Sequence, residues 1–404
     1  MSALRNYFIG TGTWFFAWGI QSVIFAWLVT MVLHETPRMV GVAQMALMLP
    51  ATILLLLGGS LADHYGGRRL VILGHWLAIT MPVFLIVVMT LGYLSYTVMI
   101  IAAVVMGTAQ AIVTPARDGL LALVAQGRIQ RRVVQASMIQ FGLQVVGFLA
   151  ASATDITGAE SVLAIQALAL LIGIVGYSRL QVGFAAHEQA THPSFGQIGA
   201  SIRDGYHSVR QSPAMSMVVV QNCAMGLFFM GSYIVTIPLI VREVYQGSST
   251  ELAYLNAANS IGLVITIMLL LKFGDIRRQG KALLLAQGTG CFFLAAAGLG
   301  FGFGWMVLAI FGWGICGGVA MTMSRTIMQE QAPVDQRARM MAFYAFSFMG
   351  SGPLGALLNG FLADAVGPER ALMVASLLMI LVVSIVSLRS SLWHLNVAPA
   401  QESR

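Results

Sequence analysis

The sequence is poor in charged residues. Only 9% of its 404 residues are Asp, Glu, Lys or Arg, whereas soluble proteins average about 25%. Apolar residues make up 58%, before the 43 glycines are counted. Because so little polar material is available to cover a water-facing surface, the composition excludes a soluble multidomain enzyme, a disordered chain and a nucleic-acid-binding protein.

Cysteine and recognisable catalytic groups are also scarce. Cys223, Cys291 and Cys316 all lie inside apolar runs and have no pairing pattern, which predicts small buried side chains and no disulfide framework. The seven histidines do not cluster with carboxylates or cysteines at metal-ligand spacing. No nucleophile has a base beside it. We therefore predict no metal, no cofactor and no enzymatic activity.

Long apolar runs fill the chain instead. A helix needs about 20 apolar residues to cross the hydrocarbon layer of a bilayer. The runs are too long and too uniform for the strands of a membrane barrel. We predict an all-α integral membrane protein with twelve transmembrane helices, at approximately 7–33, 39–62, 70–92, 96–125, 133–153, 160–180, 214–241, 252–273, 281–301, 304–331, 340–364 and 369–388.

The basic residues are distributed unevenly between the loops. If both termini are cytoplasmic, seventeen of the 22 Lys and Arg residues lie on that side. Arg38, Arg242 and Arg370 lie on the other, and Arg117 and Arg325 lie within spans. Such a bias orients membrane proteins. We predict a multi-pass protein of the cell (inner or plasma) membrane with both termini in the cytoplasm. The net charge of +7 therefore needs no polyanionic partner.

One long polar break divides the chain into two sets of six spans. Within this break, apolar residues at helical spacing in 194–211 predict a short amphipathic helix on the membrane surface. The predicted organisation is an N-terminal six-helix bundle (1–182), a cytoplasmic linker with the amphipathic helix (183–213), a C-terminal six-helix bundle (214–388) and a cytoplasmic tail (389–404).

The two sets of spans resemble each other in sequence. Several residues recur at an offset of about 208 positions, close to half the chain length. Parallel repeats of this size are typical of transporters that alternate access around a central site. The matching pairs are Arg117 with Arg325, Gly142 with Gly350, Gly147 with Gly355 and, after a slip of one residue, Asp155 with Asp364 and Gly158 with Gly367.

The turn after the second span carries a recognisable motif. Residues 59–70 read Gly-Ser-Leu-Ala-Asp-His-Tyr-Gly-Gly-Arg-Arg-Leu. This segment resembles the major facilitator superfamily signature, Gly-x-Leu-Ala-Asp-Arg-x-Gly-Arg-Arg, although His64 and Gly67 stand where arginine is usual. The resemblance implies the major facilitator fold, in which the twelve helices form two six-helix halves.

Three shorter elements are similar to one branch of that superfamily, the macrolide-efflux and enterobactin exporters. They are Phe-Ala-Trp-Leu-Val at 25–29, Thr-Pro-Ala-Arg at 114–117 and Val-Arg-Gln-Ser-Pro at 209–213. This similarity implies that the protein exports drug-like or siderophore-like compounds.

The resemblance also implies a cytoplasmic gate at the motif. Asp63 is expected to face the start of the eleventh span, and Arg68 or Arg69 to pair with Asp118. Arg117 is not expected to face Asp118, because adjacent residues diverge around a helix. A second copy of the motif follows the eighth span, at 274–281. The predicted gate residues are Gly59, Asp63, Gly66, Arg68, Arg69, Asp118, Asp275 and Arg277.

Amides and an aromatic side chain in the spans predict a binding cavity. The resemblance implies that spans one, four, seven and ten line it, with spans two, five, eight and eleven beside them. For each residue the alternative is a structural role, since amides also join transmembrane helices. The substrate-binding candidates are Trp18, Gln21, Gln140, Gln144, Gln221, Asn222, Asn256 and Asn259.

Carboxylates are missing from the middle of the spans. All fifteen acids lie near a span end or in a loop, and Asp118 is the deepest. Proton antiport by the route usual in the family is therefore not indicated, while facilitated transport or coupling through Asp118 or His75 stays open. The proton thus remains one candidate coupling ion. A cavity of amides and aromatics suits neutral or amphiphilic compounds.

We predict a monomeric secondary transporter that works by alternating access and exports small neutral or amphiphilic organic compounds. One alternative is an importer or facilitator of siderophores or lysophospholipids. An alternative of another class is a membrane receptor or regulator with the same fold that does not transport.

Overall fold

The computed structural model describes residues 2–125, 129–180, 203, 207–273, 276, 278–333 and 337–394, except for the side chains of 2, 55–65, 129–131, 271, 273, 337–339, 391 and 394. Within these residues the regular structure is helical, with no strand. Twelve of the helices are long and apolar enough to span a membrane, as predicted from the sequence.

The first six spans form the N-terminal half. The first span continues into a π-helical turn, and a short helical turn, Thr154–Thr157, precedes the sixth. The spans are α1 (Ser2–Trp27), α2 (Pro37–Tyr65), α3 (Gly67–Thr90), α4 (Tyr96–Val124), α5 (Ile129–Ala151) and α6 (Ala159–Ser178).

The last six spans form the C-terminal half. They are α7 (Pro213–Glu243), α8 (Ser249–Phe273), α9 (Gln279–Ala297), α10 (Phe303–Gln331), α11 (Arg337–Val366) and α12 (Pro368–Arg389). A short 3-10 turn, Ser391–His394, follows. The predicted amphipathic helix at 194–211 lies largely outside the described residues, although 207–210 are helical.

The same packing pattern occurs in both halves. In the N-terminal half α1 packs against α5 and α6, α4 against α2 and α3, and α3 against α6. In the C-terminal half α7 packs against α11 and α12, α10 against α8 and α9, and α9 against α12. The halves meet where α2 packs against α11 and α5 against α8. The repeat seen in the sequence is therefore a repeat of helix packing.

Two repeat-related glycines lie at equivalent helix crossings. A Cβ on Gly147 of α5 would lie 2.2 Å from the carbonyl oxygen of Phe16 in α1. A Cβ on Gly355 of α11 would lie 2.3 Å from the carbonyl oxygen of Gly226 in α7. Only glycine allows backbones to approach this closely. The α1–α5 and α7–α11 contacts are thus built in the same way.

A second pair of repeat-related glycines has matching backbone angles. Gly158, before α6, has φ 83° and ψ 157°, and Gly367, before α12, has φ 85° and ψ 155°. Positive φ is accessible to glycine without steric penalty. Each glycine reverses the chain between two spans at the same end of the bundle.

Helix α7 contains two π-helical turns, Met225–Met230 and Ser232–Thr236. From one contact with α11 to the next, the contacting residues of α7 are four, five and five positions apart. The contacting residues of α11 are four positions apart each time. The wider π turns keep one face of α7 against α11 over the whole crossing. The contacting pairs are Asn222 with Ser347, Gly226 with Ser351, Gly231 with Gly355 and Thr236 with Asn359.

Candidate functional site

The predicted gate turn connects α2 to α3 through Gly66, whose φ of 84° suits glycine. Next to it, Arg68 donates from Nε to the carbonyl oxygen of Tyr177 (3.0 Å) and from Nη2 to that of Ser178. These carbonyls end α6, where a cation is favourable. Arg68 therefore fixes the turn to α6 and does not pair with Asp118.

The structure describes the other gate candidates only in part. Arg69 is exposed at the start of α3. Gly59 and Asp63 lie in α2, where the structure describes the backbone alone. Asp275 and Arg277 lie outside the described residues altogether. A latch between the motif and its second copy stays a prediction.

Asp118 pairs with its neighbour Arg117, contrary to the expectation from helix geometry. Arg117 Nε and Nη2 lie 3.2 and 3.0 Å from Asp118 Oδ1. The Cβ atoms of these adjacent residues point in different directions around the helix. The arginine side chain is nevertheless long enough to fold back and reach the carboxylate of Asp118. Arg117 also stacks on the ring of Phe15, with its Cζ 4.6 Å from the centroid. The buried guanidinium is thus neutralised within α4.

A buried polar cluster lies beside this pair, between α1, α3 and α6. The hydroxyls of Thr11 and Tyr177 are 3.0 Å apart, and the Tyr7 hydroxyl donates to the Arg117 carbonyl oxygen at 3.3 Å. His75 is fully buried, and its ring centroid lies 5.3 Å from that of Tyr177. The sequence singled out His75 but not its neighbours, because these come from α1 and α6, far from His75 in the sequence.

Three of the predicted cavity residues lie inside the halves. Gln21 is fully buried and accepts a hydrogen bond from Gln166 Nε2 in α6 at 3.0 Å. Asn222 Nδ2 donates to Ser347 Oγ in α11 at 2.8 Å. Gln221 is 1% exposed, and neither amide atom has a hydrogen-bond partner in the described part of the chain. In this structure Gln21 and Asn222 join helices, and Gln221 is buried.

The other five cavity candidates, namely Trp18, Gln140, Gln144, Asn256 and Asn259, are half-buried. Asn256 Oδ1 accepts a hydrogen bond from the Tyr233 hydroxyl at 2.5 Å, beside Trp313, whose ring centroid is 5.9 Å from that of Tyr233. Their exposure is compatible with substrate contact, and their binding role stays a prediction.

The Gln21–Gln166 pair can be tested by a double-mutant cycle. Replacing Gln166 alone by leucine leaves the Gln21 amide buried without a partner, whereas replacing both removes the polar pair. Because such bonds contribute about 0.6 kcal/mol on average in membrane proteins, we expect the double variant to be at least as stable as either single variant. Thermal unfolding in detergent measures this. Additive losses of stability would contradict the pairing.

In the described part of the chain, most polar contacts between the halves lie at one end of the bundle, which we call the latched end. An exception is Thr52 Oγ1, farther along α2, which donates to the Met349 carbonyl oxygen at 2.9 Å. The latched end carries the loops α1–α2, α3–α4, α5–α6, α7–α8, α9–α10 and α11–α12. Asp155 Oδ2, after α5, accepts hydrogen bonds from Ser248 Oγ (2.6 Å), Thr250 N (3.1 Å) and Thr250 Oγ1 (2.6 Å) at the start of α8. The carboxylate satisfies donors at a helix N-terminus, where negative charge is favourable.

The repeat-related Asp364 makes a corresponding contact on the other side of the latched end. Its Oδ2 lies 2.6 Å from Nε of Arg38 at the start of α2. The Arg38 Cζ also lies 5.3 Å from the ring centroid of Phe361. Below this pair, the backbones of α2 and α11 touch at Gly41 and Gly360, where an added Cβ would meet backbone atoms at 2.7 to 2.9 Å.

A third contact joins α7 to the α1–α2 connection at the latched end. Arg242 Nη1 donates to the carbonyl oxygens of Thr30 (3.1 Å) and Glu35 (2.7 Å), while its Nη2 pairs with Glu243 (2.6 Å). The repeat of Asp155 and Asp364 was visible in the sequence, but their partners were not. Only the packing of α2 on α11 and of α5 on α8 brings them together.

Comparison with protein families gives a match over most of the chain. The profile described as Major Facilitator Superfamily matches residues 7–356. Comparison with curated proteins gives no significant match.

Solved transporter structures share the fold. A mutant of the nucleoside transporter NupG has a TM-score of 0.74 at 14% identity, covering 96% of this chain and 99% of that one. An auto-inhibited peptide transporter of the POT family gives 0.73 at 13% identity, covering 96% of each chain. A POT family transporter in complex with 5-aminolevulinic acid gives 0.72 at 14% identity, covering 95% of each. The chain therefore belongs to the major facilitator superfamily and is a multi-pass membrane transporter of small molecules, not an enzyme.

Proposed function

We propose that the protein is a secondary active transporter that works by alternating access and exports small neutral or amphiphilic organic compounds. The observation that carries the proposal is the latched end: two halves with the same packing pattern are joined there by three polar contacts. In alternating access the two halves rock about a central site, so that contacts at one end form as those at the other end break. The latched end supplies contacts of this kind.

The sidedness that we propose rests on the distribution of basic residues. The end opposite the latch, which we call the basic end, carries the starts of α1, α3 and α5 with Arg5, Arg68, Arg69 and Arg132. Under the positive-inside rule this end lies in the cytoplasm, and both termini with it. The described conformation is then closed to the outside.

The proposed substrate class rests on the five half-buried side chains, Trp18, Gln140, Gln144, Asn256 and Asn259. None of them carries a formal charge, and amides with an aromatic ring offer hydrogen bonds and apolar contact to an uncharged or amphiphilic body. The short elements at 25–29, 114–117 and 209–213 favour the macrolide-efflux and enterobactin-exporter branch. The named nucleoside and peptide transporters share at most 14% identity with this chain, so their substrates carry no weight here.

A flux assay in proteoliposomes tests the proposal. The panel comprises lipophilic drugs, siderophores and lysophospholipids, each measured with and without a pH gradient and against protein-free liposomes. We expect saturable flux of at least one compound in the outward direction. Saturable binding without flux of any compound would instead support a receptor. Flux that does not respond to the pH gradient would remove the proton as the coupling ion.

A further inference from the structure

A cleft opens at the basic end between α1, α4 and α5. Its volume is about 660 Å³, within the roughly 300–1,000 Å³ of small-molecule sites. Most of its walls are apolar, and they include Phe8 from α1 with Ile139 and Leu143 from α5. Leu143 lies over Gly12 of α1, where an added Cβ would meet its Cδ1 at 2.4 Å.

Positive charge lies at one end of this cleft. Arg5 of α1 and Arg132 of α5 line it together with the apolar side chains. Thr13 marks its far end on α1, eight residues beyond Arg5, which is about 12 Å along a helix. The cleft therefore has positively charged residues at its mouth and apolar residues along its deeper walls.

The Arg132 guanidinium has donor capacity that the described residues do not use. Its Nη1 donates to Gln135 Oε1 at 2.8 Å, but its Nε is buried without a hydrogen-bond partner in the described part of the chain. Buried donors in folded proteins are nearly always satisfied, so this guanidinium retains the capacity to bind a further acceptor. A guanidinium suits carboxylate or phosphate oxygens best.

The three helices that form the cleft supply no acid that neutralises this charge. Helices α1 and α5 contain no Asp or Glu, and the first acidic residue of the chain is Glu35. Helix α4 contributes Asp118, which is bound to Arg117 at 3.0 Å. The mouth of the cleft thus combines two arginines with no acidic partner from the three helices that form it.

We propose that the cleft binds an amphiphilic anion, with the carboxylate or phosphate head on Arg132 and the apolar body between Phe8, Ile139 and Leu143. This inference rests on the proposed transport function and narrows its substrate class to compounds that carry a negative head. Two sources share this chemistry, a free solute and an anionic lipid of the bilayer.

Binding to the purified full chain tests the proposal. The chain is placed in phosphatidylcholine nanodiscs and titrated with decyl phosphate, with the neutral decyl maltoside and with the cationic decyltrimethylammonium, and empty nanodiscs are subtracted. We expect saturable binding of decyl phosphate only. Arg132→Gln should weaken it by about tenfold, as for the loss of a charge-assisted hydrogen bond. Arg132→Lys keeps the charge but lacks the Nε donor. Its affinity for decyl phosphate should lie between those of the unsubstituted protein and Arg132→Gln.

Arg370→Gln is the matched control, because Arg370 is exposed at the opposite end of the bundle and should leave binding unchanged. Equal binding of the three probes, or unchanged binding in Arg132→Gln, would overturn the proposal. Repeating the titration with phosphatidylglycerol in the nanodiscs identifies the source. If phosphatidylglycerol weakens the binding of decyl phosphate, the occupant is a lipid head group. If it does not, the occupant is a free anion.

The flux assay keeps this inference distinct from the transport proposal. Saturable flux of neutral compounds that Arg132→Gln leaves unchanged, without binding of decyl phosphate, would reject the anion site and leave transport standing. Binding of decyl phosphate that Arg132→Gln weakens, without flux of any compound, would keep the site and reject transport.

Discussion

Gly355→Ala is expected to prevent or strongly impair folding of the C-terminal half. The added methyl group would lie 2.3 Å from the carbonyl oxygen of Gly226 and 2.7 Å from that of Leu227. Both atoms belong to the backbone of α7, so no side-chain rotation can relieve the clash, and α7 must move away from α11. Overpacking of this kind costs about 1–3 kcal/mol or more. The yield of monodisperse protein and its unfolding temperature measure the loss.

Repeat-related glycines supply matched controls for this substitution. Gly147→Ala should behave like Gly355→Ala, because its Cβ would meet the Phe16 carbonyl oxygen at 2.2 Å. Gly142→Ala has no atom within 4 Å of the new Cβ. It should therefore be neutral or stabilise its helix by up to about 1 kcal/mol. Equal effects of Gly142→Ala and Gly147→Ala would contradict the close α1–α5 contact.

Removing both latch carboxylates, in the double variant Asp155→Ala and Asp364→Ala, is expected to shift the protein towards a conformation with the latched end open. Asp155 should have the larger single effect, because its carboxylate accepts three hydrogen bonds. Hydrogen bonds to a charged group contribute about 1.5–3 kcal/mol each, but Asp155 is exposed, so we expect about 1–2 kcal/mol in all.

Asp364 should have the smaller effect, because the side chain of its partner Arg38 is 56% exposed. Exposed ion pairs contribute about 0–1 kcal/mol. Since 1.4 kcal/mol is tenfold in an equilibrium constant, Asp155→Ala should change the ratio of conformations by about tenfold and Asp364→Ala by a few fold. The two effects should add if the two contacts are independent.

Spin labels at two exposed loop positions report this shift. Tyr93 lies in the α3–α4 loop and Phe301 in the α9–α10 loop, both at the latched end and in opposite halves. Pulsed dipolar measurements should show a longer distance between labelled cysteines at these positions in the double variant. Glu160→Ala, at the start of α6, is the control for loss of an acid at this end. An unchanged distance in the double variant would refute the latch.

Much of the fold could be predicted from the sequence, because hydrophobic length determines how many helices cross a bilayer. The repeat was also readable, since Gly147 and Gly355 mark equivalent close crossings that tolerate no other residue. Side-chain direction was harder to predict. Successive residues turn by about 100° around a helix, so the motif spacing alone could not show that Gln21 faces α6.

One physical cause decides where the predicted cavity amides lie. Polar residues in a span point away from lipid, but the interior of a six-helix half and the space between halves are both available to them. Gln21 pairs with an amide in α6 and Asn222 with a hydroxyl in α11, whereas Gln140 and Gln144 stay half-buried. Which interior each amide faces depends on partners far away in the sequence.

The π-helical turns of α7 keep its last segment in phase with α11. Between Asn222 and Thr236 the helix uses fourteen steps where α11 uses twelve between Ser347 and Asn359. Each π turn holds one residue more than an α turn over the same advance along α11, so deleting one residue there would convert it to an α turn and leave the orientation of the following segment nearly unchanged. A deletion in the α-helical stretch Ile237–Glu243, ahead of Arg242, would instead rotate Arg242 by about 100° and turn it away from the α1–α2 connection. The π turns are therefore the part of α7 that can lose a residue without disturbing the closure at the latched end.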